Sequence, residues 1–189
     1  MATARGAWIC CADESGLNLI PPVRTTWAPR GQTPILYHHW RRGDNLSMAA
    51  VICYHPDGRR VRLLTDHTTG AYNTGKLITA LQRLPTLVAH APVILIWDGL
   101  PAHRSTTMKT WLATQTAWLH VVPLPGYAPD LNPVEPLWSA VKGKDLANYA
   151  ATDITDLWLT AHRGLQRIRR NATLLWSFLA HTGLTISTD

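Results

Sequence analysis

Two apolar runs, far apart in the chain, end in the same way. Trp8-Ile9-Cys10-Cys11-Ala12 runs into Asp13-Glu14-Ser15-Gly16, and Val93-Ile94-Leu95-Ile96-Trp97 runs into Asp98. Uninterrupted apolar segments of this length are the pattern of strands buried on both faces, as in the sheets of α/β proteins. Such sheets place ligand-binding groups where their strands end. If the two strands lie side by side and parallel, the carboxylates of Asp13 and Asp98 meet at one edge of the sheet. Two close carboxylates repel, and a hard divalent cation, most naturally Mg²⁺, lets both stay ionised. A turn-starting Asp ahead of Ser15-Gly16 is the other reading of Asp13. Strand side chains alternate, so Asp13 and Glu14 are expected on opposite faces, and only one of them can serve a given site.

A third carboxylate stands on a stiff helix start. Pro125 to Lys142 reads as a rigid loop breaking into a helix, with Asn132 as N-cap and Pro133 at the first helical position, where its missing N–H costs nothing. Glu135 then falls at the third helical position, one turn before Trp138 and two before Lys142. It can reach back to the Asn132 N–H as a capping-box variant, or it can be a metal-binding carboxylate aimed at a pocket.

The remaining segments supply a frame for these groups. Leu46–Tyr54 and Arg60–Thr65 read as strands joined by the turn residues His55-Pro56-Asp57-Gly58, a hairpin. Arg60 and Arg62 alternate with Val61 and Leu63, which predicts an edge strand with one wet face. Asp66 also ends a strand, but at this edge, and ranks below Asp13. Asn73–Leu87 reads as one helix stopping at Pro85, and Gly99–Ser105 leads into a helix to about Ala113. Ala117–Leu124 is a last short strand. From Asp153, the residues Ile154, Leu157, Trp158, Ala161, Leu165 and Ile168 form one apolar helical stripe, and Asn171–His181 a final helix closing near Gly183. Arg163, Arg167 and Arg170 recur on another face of the long helix, with Arg169 beside them, as a phosphate-tracking stripe or a solvated face. Pro21–Gly43 is irregular and carries Trp27, Arg30, Arg41 and Arg42, as a binding surface or a solvated loop.

Composition narrows the class. With 189 residues, 46% of them hydrophobic and 16% charged, the chain is expected to be one globular domain with a loose Met1–Gly6 start. The formal net charge of +6 favours a polyanionic partner, nucleic acid being the commonest. Three cysteines, Cys10, Cys11 and Cys53, without a Cys-x-x-Cys spacing argue against a disulfide framework and a zinc knuckle. No signal sequence and no apolar run near membrane-spanning length is present, so a cytoplasmic protein with no membrane partner is expected.

The order of strands and helices resembles the ribonuclease-H-like α/β fold, a mixed five-stranded sheet flanked by helices with further helices at the C-terminus. The motifs resemble those of DDE-type transposases of bacterial insertion sequences, in the mariner-related superfamily. The match rests on Asp13-Glu14-Ser15-Gly16, Thr26-Trp27-Ala28-Pro29-Arg30-Gly31, Trp97-Asp98-Gly99-Leu100-Pro101-Ala102-His103, and Tyr127 through Glu135 with Trp138 and Lys142. These occur in family order over most of the chain. The resemblance implies that Asp13, Asp98 and Glu135 are catalytic and bind two Mg²⁺, with Mn²⁺ able to substitute. It implies an endonuclease and strand transferase that cuts element ends and joins them to target DNA. The implied partner is double-stranded DNA, transposon ends and target, engaged as a homodimer by a nucleoid-associated protein. Many relatives carry Asn where this chain has Gly99. Trp27 and Arg30 are candidates for the DNA path, and His103, Arg104 and Lys142 for phosphate contact; a helix-start His or a surface Lys is the plainer alternative. Asp130 is expected to support the helix start and not to bind metal. Relatives place helix-turn-helix segments ahead of the catalytic domain, and this chain begins almost at the first strand, which reads as a catalytic half from a split reading frame, a truncated remnant or an excised domain. A separate N-terminal helix-turn-helix chain is one candidate partner for end recognition. An inactive remnant that binds DNA or dimerises, and another ribonuclease-H-like nuclease, are the competing readings.

Overall fold

A computed structural model describes residues 6–38, 45–126 and 128–186. Residues 1–5 of the expected loose Met1–Gly6 start, the Arg41-Arg42 pair and Tyr127 lie outside them. Five strands form one mixed sheet in the order β3-β2-β1-β4-β5. These are β1 (Trp8–Asn18), β2 (Asn45–Tyr54), β3 (Val61–Thr69), β4 (Val93–Trp97) and β5 (Leu119–Pro123). The first three are antiparallel neighbours, and β4 and β5 run parallel to β1. The two apolar runs are therefore adjacent and parallel, the condition for Asp13 and Asp98 to meet at one edge, within the expected ribonuclease-H-like arrangement.

Helices cover both faces. On one side pack α1 (Thr74–Leu81), α2 (Leu84–Leu87) and α3 (Thr106–Ala113), burying Cys10, Val51, Leu64, Leu81, Leu84 and Met108. On the other pack α4 (Val134–Ala140), α5 (Ile154–Arg169) and α6 (Ala172–His181), burying Cys11, Met48, Ile52, Leu137, Leu165 and Ile168. Cys10 and Cys11 thus enter different cores, as period-2 alternation requires. All three cysteines are buried and unbridged, acting as small hydrophobes. Side-chain caps set the helix starts: Asn73, Ser105, Asp153 and Asn171 each accept a backbone N–H from the first turn. Among the described residues no helix is long and apolar enough to cross a membrane.

Four local expectations are corrected. β1 does not end at Ala12 but pairs with β2 through Asn18, so Asp13-Glu14-Ser15-Gly16 is strand and not turn. β3, at the sheet edge as expected, runs on past Thr65 to Thr69, and both its faces are covered at Leu63 and Leu64, which enter opposite cores, while Arg62 and His67 stay exposed. Asp66 accordingly lies within this strand, bonded to the Tyr72 hydroxyl at 3.1 Å and to Arg83 at 3.1 Å. The helix expected over Asn73–Leu87 is two helices, because Pro85 sits in the first turn of α2, where proline is tolerated, and does not act as a stop.

Candidate active site

The site is built where β4 stops and β1 continues. β1 pairs with β4 only over Trp8–Cys11 against Val93–Ile96. Continuing that register two residues brings Asp13 level with Asp98, the first residue beyond β4. Past this point β1 still has β2 on its other side, which keeps the backbone around Asp13 extended and rigid.

Asn132 welds α4 to this edge. Its Nδ2 donates to the Ala12 carbonyl at 3.1 Å, and its Oδ1 accepts from the Val134 N–H at 3.1 Å. The residue is 3% exposed, so both bonds are made away from solvent, where an unmade one would be costly. Asn132 is the last extended residue and Pro133 the first with helical dihedrals, matching the cap read from sequence. The capping-box alternative is not what forms, because the Asn132 N–H donates to the Pro129 carbonyl. Glu135 instead lines a cleft together with Asp13, Asp98, Gly99, Arg104 and Asn132, and it also borders the groove between α4 and α6. This cleft has a volume of about 650 Å³.

Asp13 faces α4, and its Oδ2 accepts from Trp138 Nε1 at 2.8 Å. Burial, the largest influence, pushes its pKa up; the Trp138 N–H opposes this, and Glu135, Glu14 and Asp98 push further, to about 7. A carboxyl pushed up by burial and by three neighbouring carboxylates is a site that a cation would relieve. Asp98 is held differently. Its Oδ1 accepts from the Leu100 N–H at 3.1 Å and lies 2.9 Å from His103 Nδ1. His103 is stacked on Trp97 with ring centroids 4.0 Å apart, and its Nε2 lies 3.3 Å from Glu14 Oε1. Burial works to lower the His103 pKa, but the Glu14 hydrogen bond and the charges of Glu14 and Asp98 outweigh it, and the pKa is raised.

The donor set is three carboxylates from three elements, all hard oxygen ligands, and suits Mg²⁺ or Mn²⁺. Among the described residues no three His, Cys, Asp or Glu side chains are gathered closely enough to hold an ion as they stand. The carboxylates share a cleft and sense one another's charge without being in ligating contact.

Of the expected DNA contacts, only Arg104 joins them. It is exposed, lines the cleft and lies against Gly99, where an added Cβ would come within 3.6 Å of its guanidinium. His103 is a correction: its side chain is 1% exposed and engaged at both nitrogens, so it cannot reach a phosphate. Trp27, wholly exposed, and Arg30, also exposed, lie on the long β1–β2 connection past an anchor near its start. That anchor is Asn148, which exchanges hydrogen bonds with the Arg24 backbone at 2.9 and 2.8 Å. Lys142 is half-buried in the π-turn Val141–Asp145 after α4 and does not line the cleft. Arg163 and Arg167 on α5 and Arg170 at its C-terminal cap are exposed away from the cleft lining, and Arg167 is paired with Asp145 at 2.9 Å. Asp130 lines a neighbouring groove between α4 and α6. Sequence reasoning missed the Glu14–His103–Asp98 contacts and the Trp138–Asp13 bond. Alternation along β1, which sets Glu14 on the face opposite Asp13, was the available signal.

The sequence profile described as "DDE superfamily endonuclease" matches residues 8–157. No curated protein matches the chain. Among solved structures, the Mos1 strand transfer complex is similar at 18% identity, covering 95% of this chain and 56% of that one, with a TM-score of 0.55. The Mos1 mariner paired end complex with Mn is similar at 19% identity over 98% of this chain and 57% of that one, TM-score 0.55. The corresponding complex with Mg has 19% identity, the same coverage of 98% and 57%, and a TM-score of 0.52. Likeness at this identity establishes a shared fold, and the chain spans a little over half the length of those solved chains.

Proposed function

The chain belongs to the DDE superfamily endonucleases, and from that membership we propose that it is the catalytic domain of a transposase, with Asp13, Asp98 and Glu135 as its catalytic and metal-binding residues. The reading rests above all on three carboxylates, from β1, the β4 exit and α4, lining one cleft in which Asp13 is pushed to a pKa of about 7. Two divalent ions, Mg²⁺ or Mn²⁺, bound by these residues would activate a water or DNA 3′-hydroxyl and stabilise the leaving oxygen in an in-line displacement at phosphorus.

The chain's own groups prepare that chemistry. Trp138 fixes one oxygen of Asp13, Leu100 and His103 fix one oxygen of Asp98, and Asn132 fixes the helix that carries Glu135. Rigid ligands on rigid elements lower the reorganisation needed when substrate binds. Arg104, exposed on the cleft rim, is placed to pair with a phosphate oxygen of the bound strand. The substrate of this reading is double-stranded DNA, both element ends and target, held by a homodimer; the paired-end and strand transfer complexes of Mos1 support it. A separate helix-turn-helix segment or chain would supply recognition of the ends.

The test is nicking of a labelled duplex and of supercoiled plasmid with Mg²⁺ or Mn²⁺, against EDTA and Asp98→Ala. Metal-dependent nicking that disappears in Asp98→Ala is the expected result. Nicking that survives EDTA or Asp98→Ala would refute the assignment.

A further inference from the structure

Glu14 is the fourth carboxylate near the cleft, and the proposed chemistry gives it no task. It follows Asp13 directly, yet alternation turns it to the other face of the sheet, where its side chain is only 13% exposed. There it meets His103, whose Nε2 lies 3.3 Å from Glu14 Oε1. On its other edge the same imidazole reaches Asp98 twice, with Nδ1 3.0 Å from the backbone oxygen and 2.9 Å from Oδ1. Stacking on Trp97 at an interplanar angle of 4° fixes the ring plane. The Leu100 N–H is also on Oδ1, so both contacts that hold this carboxylate fall on one of its oxygens.

We infer that Glu14 and His103 are positioning residues: Glu14 locks the imidazole, and the imidazole orients the Asp98 carboxylate for metal. The inference rests on the reading of Asp98 as a metal ligand. β1 then does two jobs with consecutive residues. Asp13 is a ligand on one face, and Glu14, through His103, sets the direction of the other ligand from the opposite face. Partners of this kind, which orient a ligand without touching the metal, typically change metal affinity 10–100-fold when removed.

The experiment measures Mn²⁺ binding to the chain without DNA, by loss of the free-ion electron paramagnetic resonance signal. Wild type, Glu14→Ala, Glu14→Gln, Glu14→Asp and Asp98→Ala are compared, with thermal melting of each in EDTA. Glu14→Ala is expected to weaken Mn²⁺ binding by roughly 10-fold or more. Glu14→Gln, which keeps an oxygen facing Nε2, should recover most of the loss. In nicking assays the Glu14→Ala defect should fall more on the Mn²⁺ concentration required than on the plateau rate. Wild-type Mn²⁺ affinity in Glu14→Ala would overturn the inference. So would a binding loss shared equally by Glu14→Gln and matched by lowered melting, which is the mark of a purely structural contact. If Glu14→Ala does not fold, Glu14→Asp decides, since its shorter arm draws away from Nε2: weakened binding supports the inference and unchanged binding ends it. Asp98→Ala binding Mn²⁺ as wild type does would instead defeat the metal-ligand reading itself, and the inference with it.

Discussion

The two faces of the sheet treat neighbouring acidic residues in opposite ways. On the α4–α6 face, the half-buried Asp13 accepts from the Trp138 indole N–H, and its burial together with three carboxylates raises its pKa. On the α1–α3 face, Glu14 is tied to His103, which is tied in turn to Asp98. One face keeps a carboxylate under electrostatic tension, ready for a cation. The other resolves the same kind of tension with an imidazole. A strand alternating with period 2 can do both within two residues, and a helix could not separate them so cleanly.

The contrast is sharpest in function. Asp13→Asn should lower metal-dependent nicking by roughly 10³-fold or more, because a ligand is lost from the reacting centre. The same variant should melt no lower than wild type, since it removes a repelling buried carboxyl; a large drop in melting would mean that Asp13 serves the fold. Core truncations on the two faces should do the reverse. Leu165→Ala under the α4–α6 face and Leu84→Ala under the α1–α3 face, at 1% and 0% exposed, should each cost about 2–5 kcal/mol in denaturant unfolding. Neither should change Mn²⁺ affinity per folded molecule, and a change confined to one would show that face's packing sets the site.

Smaller effects refine the picture. Gly164→Ala on α5 would drive its Cβ into the Asp145 carboxylate, which Arg167 holds at 2.9 Å. Overpacking of this kind should cost about 1–3 kcal/mol, read by thermal denaturation. Trp138→Phe keeps the ring but removes the donor to Asp13, and should cost about 1–2 kcal/mol of stability together with weaker Mn²⁺ binding. Last is a pH slope. Asp13 holds its proton to a pH of about 7 in the folded chain but releases it near 3.8 when unfolded. Between those values the unfolded state binds fewer protons, so metal-free stability should fall as pH rises, relative to Asp13→Asn, and level off above 7. Mn²⁺ binding should strengthen over the upper part of the same range, because the ligand must be deprotonated. Parallel stability curves for wild type and Asp13→Asn would remove the electrostatic contrast between the faces.

What could be read from the chain alone was local. The apolar runs Trp8–Ala12 and Val93–Trp97 carry their own evidence of being strands, although Ile94 and Ile96 leave one face of the second only half-buried, and Asn132-Pro133 carries its own cap. The alternation that parts Asp13 from Glu14 is likewise a property of any extended backbone. The length of β1 was not readable, because Asp13-Glu14-Ser15-Gly16 has turn composition and stays extended only through its pairing with β2. Nor could sequence tell that Pro85 opens a second helix, or that His103 is buried between two carboxylates and not facing a phosphate. Those outcomes depend on which groups the sheet brings together: Glu14 with His103 across 89 positions, and Asp13 with Trp138 across 125. Hydrogen bonds between such distant residues are decided by packing, because nothing in the local chain records the partner that desolvates a side chain or completes its hydrogen bonds.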